Sequence, residues 1–410
     1  MLHKIIVFIV LSLPFSVIAR DTFDGTTGLL TIPAVKVGAE TFHVTMQHQG
    51  NLVFNTTSAN VIANAATTPD IYDSATGVVY LRSVTVGDVV YEVAMSHLGN
   101  LQFSVTNATI KTAIAKPVVV DCPSLSGSLH VNALNILAQY GYQKCAMVAG
   151  ILIANSNTEV LGGKDITAMT QQQADILAEI LDNDQDGLID DAAVAAQLAS
   201  KANNGAWMNM LSSSNESSNE QAIVEAMLPY VGKDMGVKYS WLLDTVNDST
   251  TLHEKAVMAE EAIHMVHMLG YAKAYPAEFA VEDTNCTDGQ AGSAGCNFTQ
   301  STVTRLAWEA MTVDPVWYRH PENSAVSNGI ISGSCAQPSC AAIEFIMNVL
   351  VEYRGIYDSV SAVTMPSTQS AMIAKLDSSA VGMEMKAILD SPRFNQLLNG
   401  LTFSYNPTGN

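Results

Sequence analysis

The segment from His253 to Tyr271 concentrates the side chains best suited to chemistry. Its residues are mostly helix formers, it contains no Pro, and Gly270 suits a helix end. At about 100° per residue, His253, Glu260, His264, His267 and Tyr271 fall in one narrow stripe, with Glu261 beside it. Imidazole and carboxylate groups four residues apart on a helix can reach a single ion together, so the stripe reads as half of a metal site. The chain has 9 His and is only 14% charged, and a line bearing three His stands out from that background.

Three chemistries fit this helix. In the first, Glu260 and His264 hold zinc or another transition metal, and Glu261 is the general base that takes a proton from a metal-acidified water. Tyr271 would polarise the substrate. A third ligand is then needed, and Glu344, a carboxylate inside the apolar helical run 341–346, leads Glu309 and His267. His267 is about 10 Å along the axis from Glu260, a long reach for one ion. A second reading takes Glu261-x-x-His264 as half of a di-iron motif, but no matching second half is present. A third combines Met258, Met265 and Met268 with the imidazoles as a copper site. Against all three stands a plain alternative, in which the polar face meets water and the methionines fill the core.

A second cation site is written in the stretch 182–191, which follows an expected helix. Asp182, Asp184, Asp186, the carbonyl of Leu188 and Asp190 occupy alternating ligand positions, and Gly187 sits where an EF-hand loop bends sharply. The pattern predicts calcium. It departs from the motif at the last position, where Ala193 stands in place of the bidentate Glu, so Asp191 or a distant carboxylate would have to complete the shell. A lone loop of this kind points to a structural ion.

The elements that must position these groups follow from composition and pattern. Lys4 and the apolar run 5–15, followed by small residues up to Ala19, read as a secretory signal peptide over 1–19. No stretch reaches the roughly 18 apolar residues of a stable membrane span. The net charge of −20 argues against nucleic acid as a partner and suits cations. All 6 Cys lie beyond the signal, and their grouping suggests Cys122–Cys145, Cys286–Cys296 and Cys335–Cys340 disulfides in a secreted or periplasmic chain.

An internal repeat fills residues 20–117. Phe23-Asp24-Gly25 returns as Tyr72-Asp73-Ser74, 49 positions later, and Val44, Met46, His48 and Phe54 return in the same register as Val93, Met95, His97 and Phe103. Each copy reads as short strands, at 29–37, 41–47 and 52–55 in the first. His48 and His97 are expected to be turn residues left by duplication. Beyond this region the period changes to 3.6, with helices expected at 129–142, 170–181, 192–202, 220–228, 252–273, 341–353 and 383–389, and with loops at 212–220 and 282–298. The fold class is therefore α+β, an N-terminal duplicated all-β region followed by a mainly α-helical domain over 118–410.

The Asp182-Asn183-Asp184-Gln185-Asp186-Gly187 loop, the Glu260-Glu261-x-x-His264 helix running into Gly270-Tyr271-Ala272-Lys273-Ala274-Tyr275-Pro276, and a later Cys335–Cys340 block followed by Glu344 together resemble a group of uncharacterised exported proteins. The likeness covers about residues 126–358 and implies no set activity. Locally, Glu260, Glu261 and His264 resemble the H-E-x-x-H helix of zinc metallopeptidases (zincins), with Glu in place of the first His. That likeness implies a secreted metal-dependent hydrolase acting on a peptide or surface substrate. The alternative is a non-catalytic protein that binds calcium and a transition metal, copper included, or a surface-interaction protein.

Overall fold

The computed structural model describes residues 20–63, 69–157, 164–199, 205–242, 252–281, 300–312, 323–327, 330–333, 335, 338–356, 366, 368–391, 394 and 400–407. The expected signal segment, the Cys286–Cys296 pair with its loop and the side chain of His253 lie outside the described residues. The chain divides into two units at Lys111, somewhat before the expected boundary at 117. The reason is local pairing: Ile114 donates its amide to the Gly187 carbonyl and Ile189 to that of Thr112, each at 2.9 Å, which ties 112–114 to the acidic loop of the second unit.

In the first unit each repeat copy folds into a four-stranded antiparallel meander. The strands are β1 (Asp21–Asp24), β2 (Leu29–Val37), β3 (Glu40–Gly50) and β4 (Val53–Val61), then β5 (Asp70–Asp73), β6 (Val78–Val86), β7 (Val89–Gly99) and β8 (Gln102–Ile110). Strands β4 and β8 pair antiparallel with Phe54 opposite Phe103, its own repeat equivalent, so a pseudo-two-fold axis passes between them. Because β1 pairs with both β2 and β6, and β5 with both β6 and β2, the sheet closes into a barrel. Alternation sends Leu30, Ile32, Met46, Leu81 and Met95 into the core. His48 and His97, expected as turn residues, instead lie within β3 and β7, where His48 packs against Phe54 at 5.1 Å and His97 against Phe103 at 5.0 Å. Leu52, expected to begin a strand, instead occupies the hairpin turn with a φ of 59°.

The second unit is mainly helical but is organised around a five-stranded sheet that periodicity does not reveal. Its order is β13 (Lys233–Lys238), β12 (Ala206–Leu211), β11 (Ile151–Asn155), β10 (Lys144–Val148), β9 (Val120–Asp121), with β11, β12 and β13 parallel. Alternate residues of β12 serve opposite faces. Met208 and Met210 join the larger core with helices α2 (Ile166–Leu181), α3 (Ala192–Ala199) and α7 (Leu252–Met265). Trp207 and Leu211 join the smaller one with α1 (Val131–Gln139) and α5 (Glu220–Val231).

The expected loop at 212–220 holds a short helix, α4 (Ser213–Ser218), which Ser212 caps by accepting the Asn215 amide. Helix α6 (Tyr239–Leu242) precedes α7, and after α7 come α8 (Ala272–Ala274), α9 (Pro276–Phe279), α10 (Thr302–Thr312), α11 (Pro338–Arg354), α12 (Gln369–Ser378) and α13 (Ala380–Leu389). Disulfides join Cys122 to Cys145 and Cys335 to Cys340, as grouped from the sequence and compatible with an oxidising compartment. Among the described residues no helix is long and apolar enough to cross a membrane.

Candidate metal centre

Helix α7 forms because 252–265 is rich in Ala, Glu and Met and free of breakers. Its Ala259 and Ala262 are fully buried, as are Ala341 and Ala342 of α11, and such small residues let helices approach closely. The packing of α11 on α7 brings Glu344 to His264. Glu260, His264 and Glu344 each present a ligand atom within 4.8 Å of the others. His264 Nε2 lies 3.7 Å from Glu344 Oε1 and has no hydrogen-bond partner, although the residue is only 6% exposed. A buried ring nitrogen left without a hydrogen bond, whether it carries a proton or a lone pair, is costly. On the other side of the ring, Nδ1 lies 3.7 Å from Glu261 Oε2.

The electrostatics agree with this geometry. Burial lowers the proton affinity of His264, but Glu344, Glu261 and Glu260 outweigh it and hold the imidazole up at about 10. Burial, with Glu344 and Glu261 nearby, pushes Glu260 up to about 8 against the opposing pull of His264. Three carboxyls around one imidazole favour a positive charge among them. The donor set, one imidazole and two carboxylates, fits zinc, iron or manganese in kind. If a metal takes Nε2, Glu261 at Nδ1 is placed to orient the ring, as outer carboxylates do for ligating His.

His267 and Tyr271 do not join this group. The six residues 266–271 are wound as a π-helix, so the stripe expected of a uniform α-helix does not run on through them. His267 packs on Phe394 at 5.0 Å, and Tyr271 is buried against Phe279 and Phe394 at 5.2 and 5.0 Å. Gly270, expected to end the helix, lies inside the π turn. A Cβ there would approach Val194 to 2.7 Å, so glycine permits the contact with α3. Glu309, the second-ranked ligand, is engaged by Arg305 at 3.1 Å. Met258 and Met265 are fully buried in the core, Met268 packs at its edge, and the Met258 sulfur accepts from Gln172 at 3.5 Å. These are the contacts of core filler rather than of a copper site.

In the acidic loop, Asp182, Asp184 and Asp190 present ligand atoms within 4.8 Å of one another. Asp186 is turned inward and accepts the Leu188 amide at 2.8 Å, while Leu188 bridges to Ala113. Asp182 accepts the Gly187 amide at 2.9 Å and the Tyr405 hydroxyl at 2.5 Å. Gly187, with a φ of 84°, allows the bend. Burial, then the charges of Asp190, Asp186 and Asp184, pushes Asp182 up to about 8, opposed by the Tyr405 hydroxyl. Asp191 does not complete the shell: it caps α3 by accepting the Val194 amide at 2.9 Å and takes the Tyr275 hydroxyl at 2.8 Å. Tyr405, which sequence reading missed, closes the loop from far along the chain. Nothing in its local sequence signals that role.

No known protein family, characterised protein or solved structure matches the chain. Function therefore has to be argued from the site alone.

Proposed function

We propose that the helical unit binds a transition metal through Glu260, His264 and Glu344 and acts as a secreted metal-dependent hydrolase. The observation that carries the reading is the buried, unpartnered Nε2 of His264, aimed at the carboxylate of Glu344 from another helix. When bound, the metal would supply Lewis acidity toward water and a carbonyl such as that of a peptide bond. The chain itself contributes the ligand cage and, in Glu261, an adjacent carboxylate able to accept a proton. The acidic loop, with Asp182, Asp184 and Asp190, would hold calcium as a brace for the end of α2.

A second reading is favoured by one distance, the 3.7 Å between Glu261 and His264 Nδ1. It makes Glu261 an orienting partner and the protein a metal binder without hydrolytic activity. Glu261→Gln separates the two. A base assignment requires the variant to keep its metal and lose hydrolysis of a general peptide substrate. An orienting role requires metal affinity to fall by about 10–100-fold. A variant unchanged in both respects would remove Glu261 from either role.

A further inference from the structure

Asp21 and Asp70 stand at equivalent positions of the repeat, and the barrel brings them together. Strand β1 covers residues 29–31 of β2 and 84–85 of β6, whereas β5 covers 35–37 of β2 and 78–80 of β6. Because β1 runs antiparallel to β2 and β5 parallel to it, the two short strands share one place in the barrel wall and meet N-terminus to N-terminus. Asp21 and Asp70 are their first residues, and both are buried.

The two carboxyls differ in one partner. Asp70 Oδ1 accepts the Arg82 amide at 2.8 Å. The repeat equivalent of Arg82 is Pro33, which has no N–H to offer Asp21. Asp21 Oδ2 is accordingly buried without an N–H donor, a state an ionised carboxylate tolerates poorly. The other charged groups facing the pair are Arg82, from β6, and Lys111, whose buried ammonium donates to Ser83 Oγ at 3.3 Å. From β2 the junction is spanned by Ile32, Pro33 and Ala34, none of them titratable, and Lys36 is exposed. Asp24 and Asp73 are occupied in the turns at the far ends of β1 and β5. Burial holds both carboxyls above the ordinary range, Asp21 well above it and hydrogen-bonded to Asp70.

We propose that Asp21 and Asp70 share one proton as an acid-held latch, keeping the junction of β1 and β5 closed while it is bound and opening the barrel wall there when it leaves. The closed form holds more protons than the open one, so closure is favoured at low pH. It weakens roughly tenfold for each pH unit above the ordinary carboxylate value until the closed form also ionises.

Hydrogen exchange on the full chain from about pH 5 to about pH 8, with intrinsic rates divided out, tests this directly. Peptides over 21–24 and 70–73 should lose protection roughly tenfold per unit, while those over 89–99 hold theirs. Asp21→Asn, isosteric with the protonated acid, should keep the junction protected at the upper end. Pro33→Ala restores an N–H that favours ionised Asp21, so the loss should become smaller and level off at lower pH. Flat protection in the unaltered chain, or a Pro33→Ala profile identical to it, would overturn the latch.

Discussion

The two candidate cation sites of the helical unit are built in opposite ways. The acidic loop gathers its carboxylates from one contiguous stretch, and backbone amides and the Tyr405 hydroxyl already bind Asp182. The α7 site draws Glu260 and His264 from one helix and Glu344 from another, and leaves His264 Nε2 without a donor or acceptor. A loop whose carboxylates are satisfied by the chain's own N–H and O–H groups keeps its shape without an ion, which then adds stability. A buried imidazole that makes no hydrogen bond through Nε2 and is ringed by carboxyls is a place that a cation can complete. The first arrangement suits a brace and the second suits chemistry.

Experiments on each site should bear out that contrast. The largest effect is expected from His264→Ala, which should abolish stoichiometric transition-metal binding, a loss beyond the roughly 100-fold that an outer partner is worth, while calcium binding persists. Metal content after dialysis reads both. Next, Tyr405→Phe should destabilise the calcium-free chain by about 1–3 kcal/mol, the usual cost of leaving a buried polar group without its partner, in a urea titration. Calcium at about 100 times its dissociation constant should return roughly 2.7 kcal/mol, if the loop binds it. An identical titration with and without calcium would leave the loop a self-sufficient turn. The smallest effect belongs to Met258→Leu. It should cost under about 1.5 kcal/mol and leave metal content unchanged; a loss of metal would revive the thioether reading.

Much of this architecture could be read from residue order. The 49-residue register announces two equivalent β units, read as a small sandwich or two stacked meanders rather than the barrel they close into, and α2, α5 and α11 lie close to where a 3.6 period places them. Glu344 was identifiable because a carboxylate in the apolar run 341–346 has to be explained by a partner. The sheet of the second unit was hidden for a physical reason. Strand β12 is buried on both faces, so Ala206-Trp207-Met208-Asn209-Met210-Leu211 shows no alternation and is too short to distinguish from a helix segment. The π turn at 266–271 has no compositional mark, and it breaks the uniform α-helical spacing on which the expected stripe rested. The meeting of Asp21 with Asp70 depends on strand register, which emerges only when the barrel closes.

Glu344 supplies the sharpest test, since it is the one member of the site that α7 does not carry. Wild-type protein and Glu344→Gln, each purified, metal-stripped and reloaded with zinc, should differ in bound zinc while sharing the same circular dichroism. Near one equivalent in the wild type and little in the variant is the expected result. Equal zinc in both, retained at the same affinity, would contradict a metal centre shared by α7 and α11.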